Sequence, residues 1–176
     1  AASRGFDTGA VSLAMVEGSA LGGGFEAALA HHFVLSQRDA RLGFPEIAFN
    51  LFPGMGAYSL VARRAGMKLA EELIYKGESH TAEWYEQHGL VDVLFEPGQS
   101  YVSVRTFIDT LRPKLNGVRA MLRARTRVLQ LPRSELMDIT EDWVDAAFCL
   151  EPKDIAYMER LVMLQNRHHG ALRKAS

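Results

Sequence analysis

Cysteine is nearly missing from this chain: Cys149 stands alone among 176 residues, so no internal disulfide framework can form. Its neighbours Ala146, Ala147, Phe148 and Leu150 are apolar, which predicts a buried, unreactive thiol. A reducing cytoplasm fits that usage. Long apolar runs are lacking too, and no stretch approaches the roughly 18 residues that a membrane span needs. Charge of one sign is not in surplus: 20 basic against 21 acidic residues leave a formal net charge of -1, and no overall basic field for nucleic acid. The sequence has no Gly-x-Ser-x-Gly elbow and no Gly-Lys-Ser/Thr phosphate loop. Metal-ligand spacing is absent as well. His31 and His32 are adjacent, so on a helix they diverge by about 100°, and His80, His88, His168 and His169 form no pattern. No metal or other cofactor is expected. Residues Ala1 to Gly9 show neither an initiator methionine nor the charged-then-apolar layout of a signal peptide, so a fragment or a processed chain is expected.

What is present is enough for a substantial core: the chain is 48% hydrophobic and 23% charged, the balance of a globular domain. Val11 to Val16 is short, apolar and scarcely alternating, as a strand covered on both faces would be, and Glu17-Gly18-Ser19 ends it. An alanine-rich helix is predicted from Gly24 to about His32. Strands follow at Phe33–Ser36 and Arg41–Phe44, the second stopped by Pro45. Helices are predicted over Ala57–Ala65, Lys68–Tyr75 and from Thr81, the expected N-cap, to Gly89, with a strand at Val91–Phe95. Beyond Pro97 the strands stop. Residues 101–130, 134–149 and 153–167 read as three helices separated by Pro132 and Pro152, so an α/β part leads into a helical tail.

Two carboxylates carry the chemistry. Glu26 closes Gly22-Gly23-Gly24-Phe25-Glu26 in the first turn of a predicted helix, where unpaired N–H groups favour its ionised form while burial opposes it. Glu46 follows Pro45 at a fixed exit from a strand. If both line one pocket their protonations are coupled, and the pair can remove one proton while delivering another. The bland readings are tight packing for the glycines and a capping surface residue for Glu46. A dinucleotide fingerprint is a poorer fit to Gly22-x-Gly24-x-x-Ala27 with Asp39: Glu26 would repel a pyrophosphate, and Glu17 to Leu21 separate strand from glycines.

From Arg112 to Arg133 the chain carries seven basic residues and no acid, and Glu135, Asp138, Glu141, Asp142 and Asp145 follow. Two solvated faces pairing with each other is the simpler reading. A docking face for an acidic partner such as a carrier protein is the sharper one.

Across residues 11–98 the chain resembles the crotonase (enoyl-CoA hydratase/isomerase) superfamily. The resemblance runs through Val16 to Glu26, Gly43-Phe44-Pro45-Glu46, Phe52-Pro53-Gly54 and Thr81-Ala82-Glu83. Within it, Phe49 to Ser59 and the tail from Glu135 to Ala146 look like the diffusible signal factor synthases, which make cis-2-unsaturated fatty acid signals in bacteria. The resemblance implies an α/β spiral of ββα units, with residues 1–98 the C-terminal part of the spiral core and 99–176 a helical tail for oligomerisation and the acyl pocket. It implies trimers or dimers of trimers, and a Gly23 N–H donor to a thioester oxyanion. It implies that Glu26 and Glu46 are the acid/base pair, their roles unassigned by sequence. The expected reaction is dehydration of a 3-hydroxyacyl thioester on acyl carrier protein, followed by hydrolysis to free acid. An ordinary CoA-dependent hydratase or isomerase is the alternative, and an idle protein that docks on a sensor kinase is another. Leu21, Gly22, Met55, Trp143 and Leu161 are the candidate substrate-binding residues, although core packing accounts for the apolar ones equally well. The resemblance also implies an earlier part of the spiral that supplies the other oxyanion donor, for which no counterpart is expected within residues 1–176.

Overall fold

The first four strands of this chain alternate between two sheets. In the computed structural model, which describes the backbone of residues 10–172 and side chains as far as Met163, β1 (Leu13–Val16) is followed by the polar turn at Glu17-Gly18-Ser19 and then by β2 (Ala20–Leu21). After α1 (Gly23–Leu29) the pattern repeats, with β3 (Phe33–Gln37) beside β1 and β4 (Arg41–Gly43) beside β2, both parallel. Each ββα turn therefore adds one strand to each of two sheets. A 3-10 turn at Pro45–Phe49, α2 (Ala57–Ala65) and α3 (Met67–Lys76) come next. Then β5 (Ser79–Thr81) pairs antiparallel with β4, α4 (Ala82–Gln87) starts on a Thr81 side chain that accepts the Trp84 N–H, and β6 (Val93–Phe95) pairs parallel with β3. The two sheets have orders β1-β3-β6 and β2-β4-β5. Four helices follow: α5 (Ser100–Leu111), α6 (Leu115–Val128), α7 (Arg133–Phe148) and α8 (Pro152–Leu172). The side chains of His168 and His169 lie outside the described part.

Apolar side chains from α1, β4, α2 and α4 meet between the layers. Phe25, Leu29, Leu42, Phe44, Val61 and Tyr85 are all fully buried, each stabilising the fold by roughly 1.5–3 kcal/mol if counted as complete removal from water. The Phe25 ring stacks on Phe44 with centroids 5.2 Å apart and meets Tyr85 edge-on at 4.8 Å. Phe25 immediately precedes Glu26, and Phe44 stands two residues before Glu46. This contact between core rings thus fixes the two acidic segments against each other.

Four expectations are corrected here. β2 and β5, of two and three residues, were not anticipated, because elements so short leave no periodicity to read. The single helix expected over 101–130 is two, since Pro113 lacks an N–H and the chain tightens into a 3-10 turn at Arg112–Lys114. Cys149 is exposed rather than buried: it caps the end of α7, where Phe148 is itself 85% exposed. Finally, the acid that opens the acidic run pairs outside the basic one. Glu135 takes Arg63 of α2 at 2.6 Å, while Arg112 pairs within its own segment with Asp109 at 3.4 Å. Among the described residues no helix is long and apolar enough to cross a membrane.

Candidate active site

Gly22 sits where β2 passes into α1. Its N–H donates to Gly43 O (2.9 Å), continuing the β2–β4 pairing, and its own carbonyl accepts the N–H groups of Phe25 (2.9 Å) and Glu26 (3.0 Å) to open α1. Its φ of +54° and ψ of -128° are values that glycine alone adopts at no steric cost. The amides of Gly23 and Gly24, in the opening turn of α1, have no acceptor within the helix. The far end of α1 is held by Arg64, whose Nη2 donates to Leu29 O (2.7 Å) and to His31 O. Burial pushes that guanidinium down to about 10.

Glu46 enters from the end of β4, the strand beside β2 in the same sheet. Pro45 starts the 3-10 turn, and the Glu46 carboxylate comes to rest against Gly22: a side chain built on Gly22 would meet Glu46 Oε1 at 2.2 Å. The other oxygen, Oε2, is buried and accepts no hydrogen bond among the described residues. Burial is the main cause that pushes the Glu46 carboxyl up to about 7; its own backbone N–H lowers it, and the charge of Glu26 raises it further.

Glu26 is held differently. Only 3% exposed, its Oε1 accepts the Met55 N–H (2.8 Å) and the Ala57 N–H (2.9 Å). Burial raises its carboxyl above the ordinary range, and these two amides pull it back toward ionisation. The sequence motifs therefore converge: two carboxylates, electrically coupled, flank one glycine turn. One rests in a two-amide cradle and the other presents an unpaired oxygen.

The remaining candidates are placed unevenly. Leu21 is half-buried at the end of β2 opposite Gly43. Met55 is 61% exposed, and its methyl lies over Gly23, 2.7 Å from where a side chain there would begin. Trp143 reaches the same neighbourhood from α7, its indole occupying the space beside Gly54. Leu161 is half-buried on α8, which packs along the Pro45–Phe49 turn and whose Asp154 accepts from Asn50 Nδ2 (3.4 Å). No described contact brings Leu161 to the carboxylates. Sequence reasoning missed the Met55 and Ala57 amides, since a backbone donor leaves no mark in the residue type. The Ser59–Arg63–Glu135 cluster was missed as well, for no local signal of it exists.

Residues 4–130 match the enoyl-CoA hydratase/isomerase family profile, and the chain belongs to that family. Over 83 residues it is 41% identical to the 2,3-dehydroadipyl-CoA hydratase of Escherichia coli strain K12, covering 47% of this chain and 32% of that protein. Over 87 residues it is 34% identical to the short-chain-enoyl-CoA hydratase of Clostridium acetobutylicum, covering 49% and 33%. The match thus spans about a third of each of these relatives' length. An enoyl-CoA hydratase structure from Geobacillus kaustophilus HTA426 superposes with a TM-score of 0.67 at 26% identity, over 90% of this chain and 63% of that one. Carnitinyl-CoA hydratase from Mycobacterium avium gives 0.71 at 23% identity, over 86% and 61%, a likeness of fold alone. The α/β spiral followed by helices is accordingly the crotonase-type fold.

Proposed function

We propose that this chain carries the acid/base centre of an enoyl-CoA hydratase, adding water across the double bond of a 2-enoyl thioester. The observation that carries the reading is the unequal setting of two coupled carboxylates around Gly22. Glu26, steadied by two amides, is the ionised base: it takes a proton from water as the water oxygen attacks the β-carbon. The displaced electron pair moves to the thioester oxygen, and the Gly23 N–H stabilises the resulting oxyanion, a donor of this kind contributing about 3–4 kcal/mol. Glu46, whose carboxyl is pushed up to about 7, is the acid that returns a proton to the α-carbon. Met55, lying over Gly23, and Leu21, at the end of β2, are proposed to flank the acyl chain.

The dehydratase and thioesterase of the signal-synthase type, acting on an acyl carrier protein thioester, is a second reading. It is favoured by the seating of Trp143 and Thr140 on Gly54, because both segments that resemble those synthases meet there. One assay separates the readings. Purified protein is given 2-enoyl-CoA and, separately, 3-hydroxyacyl thioesters of CoA and of acyl carrier protein, and products are identified by mass spectrometry. Hydrated CoA thioester is the expected result; free cis-2-enoic acid from the carrier thioester would favour the second reading; no turnover of any substrate would reject both.

We also propose self-association, as trimers or multiples of them, through the tail. Tyr101 (77% exposed), Val128 (80%) and Phe148 (85%) place large apolar groups in water, surface that association would cover. Sedimentation equilibrium is expected to give a mass above that of one 19.6 kDa chain, and a monomer at micromolar concentration would refute this.

A further inference from the structure

The amides that cradle Glu26 belong to a loop which is held from outside by α7. Leu136, Thr140 and Trp143 recur at i, i+4 and i+7, so they share one face of that helix. All three meet the Pro53–Ala57 segment. A side chain on Gly54 would collide with the Trp143 ring at 2.3 Å, and one on Gly56 with Leu136 Cδ2 at 2.8 Å. Thr140 Oγ1 donates to Gly54 O (3.4 Å) as well as to Leu136 O (2.7 Å). The helix is fastened in this position by Glu135. Both its oxygens engage Arg63 of α2, Nη1 at 2.7 Å and Nη2 at 2.6 Å, and Oε1 also accepts the Ser59 hydroxyl. Arg63 Nε further binds Gln130 O (2.9 Å), just ahead of α7. A bidentate guanidinium–carboxylate pair of this kind fixes orientation as well as distance.

We propose that α7 is a positioning element for Glu26: the Arg63–Glu135 pair holds the helix down, and Leu136, Thr140 and Trp143 press the Pro53–Ala57 loop so that two amides stay aimed at one carboxylate oxygen. Glu135 and Thr140 are then positioning residues from a distant stretch of sequence, Glu135 bonding Ser59 across 76 positions, and Arg63 is one within α2, the helix that Ala57 opens. The consequence for turnover rests on the base role proposed for Glu26, whereas the geometry can be read without any turnover.

The test follows the Met55 and Ala57 amide protons by NMR as a function of pH. In the unaltered chain both resonances are expected to shift with the ionisation of Glu26, and Glu26→Gln should abolish the shift, which assigns it. In Glu135→Ala and in Gly54→Ala, where a methyl must displace the Trp143 ring, the amplitude at both amides is expected to fall at least twofold. Their solvent exchange should rise at least tenfold, with β3 amides unchanged. Should Gly54→Ala fail to fold, Thr140→Val replaces it. If the two variants titrate like the unaltered chain, the proposal is wrong whatever the activity. If the amides respond but no thioester is turned over, the positioning role stands and the hydratase reading falls.

Discussion

Glu46→Gln is expected to lower turnover of 2-enoyl-CoA by about 10²–10⁴-fold, the range for loss of one general acid or base, and Glu26→Gln by a similar factor. Glutamine keeps the shape of each side chain and removes only its proton chemistry. Neither loss should come with unfolding, and for Glu46 the sign is opposite. Its carboxyl is raised in the fold from an ordinary value of 4.5 to about 7, so the protonated form is the one the fold prefers. Stability contributed by that preference is complete below the unfolded value and is lost as pH rises through about 7. The Glu46→Gln chain, with no charge to bury, should therefore melt at a higher temperature than the unaltered chain at pH 8, and the advantage should vanish at pH 4. A variant that is both slower and more stable is the mark of a group retained for chemistry.

The same coupling shapes the pH profile. Hydration needs one carboxylate ionised and the other protonated, so the pair is active between its two macroscopic titrations and the rate should be bell-shaped. Its alkaline limb should lie near 7, where the shared proton leaves. Removing the charge of Glu26 removes one of the causes that raise Glu46, so in Glu26→Gln the Glu46 titration should move downward. A carbon-13 titration of the glutamate carboxyls checks this; an upward movement, or none, would contradict the coupling.

Gly22→Ala is expected to be the most damaging methyl in the Gly22-Gly23-Gly24 run. Forcing an L-residue to a φ of +54° and ψ of -128° costs about 1–3 kcal/mol. Overlap with Glu46 Oε1 at 2.2 Å adds an overpacking term of comparable size, about 1–3 kcal/mol, unless the carboxylate moves. If it does move, the stability is partly recovered and the acid is lost from its place. The variant should lose about 2–6 kcal/mol in denaturant titrations if the carboxylate stays, or about 1–3 kcal/mol together with its turnover if the carboxylate moves. The neighbouring glycines supply the controls. A methyl on Gly23 meets only the flexible end of Met55 (2.7 Å), and one on Gly24 meets Ala20 Cβ at an ordinary 3.9 Å. The expected order of damage is Gly22, Gly23, Gly24; equal effects at all three would mean that the run serves packing alone.

That Glu26 and Glu46 stand out as candidates was legible because each is marked locally. Three glycines before Phe25-Glu26, and Pro45 before Glu46, mark backbone that is unusual within a few residues of the carboxyl. The parallel-strand framework was legible for the same reason where strands reach four or five residues, as in β1 and β3. Legibility failed where partners are distant or elements are tiny. The pairing of β3 with β6, in which Val34 N–H also bonds Asp92 across 58 positions, leaves no trace in either segment alone. Cys149 was misjudged because Ala146, Ala147 and Phe148 look like core residues, yet the end of α7 finds nothing to cover it within the described chain. Gly54 and Gly56 matter through their lack of a side chain, which admits Trp143 and Leu136 from α7, a partner that no neighbouring residue announces.

The bond from Thr140 to the Gly54 carbonyl spans 86 positions, and that separation sets an order of events during synthesis. A ribosome adding about 5–20 residues per second leaves the nascent polypeptide, for several seconds, with both sheets emerged and the loop over Glu26 still bare. If α7 positions the loop as proposed, the arrangement around Glu26 matures only once Arg133–Phe148 has been made, so a product terminated before that helix would carry both glutamates and lack the clasp.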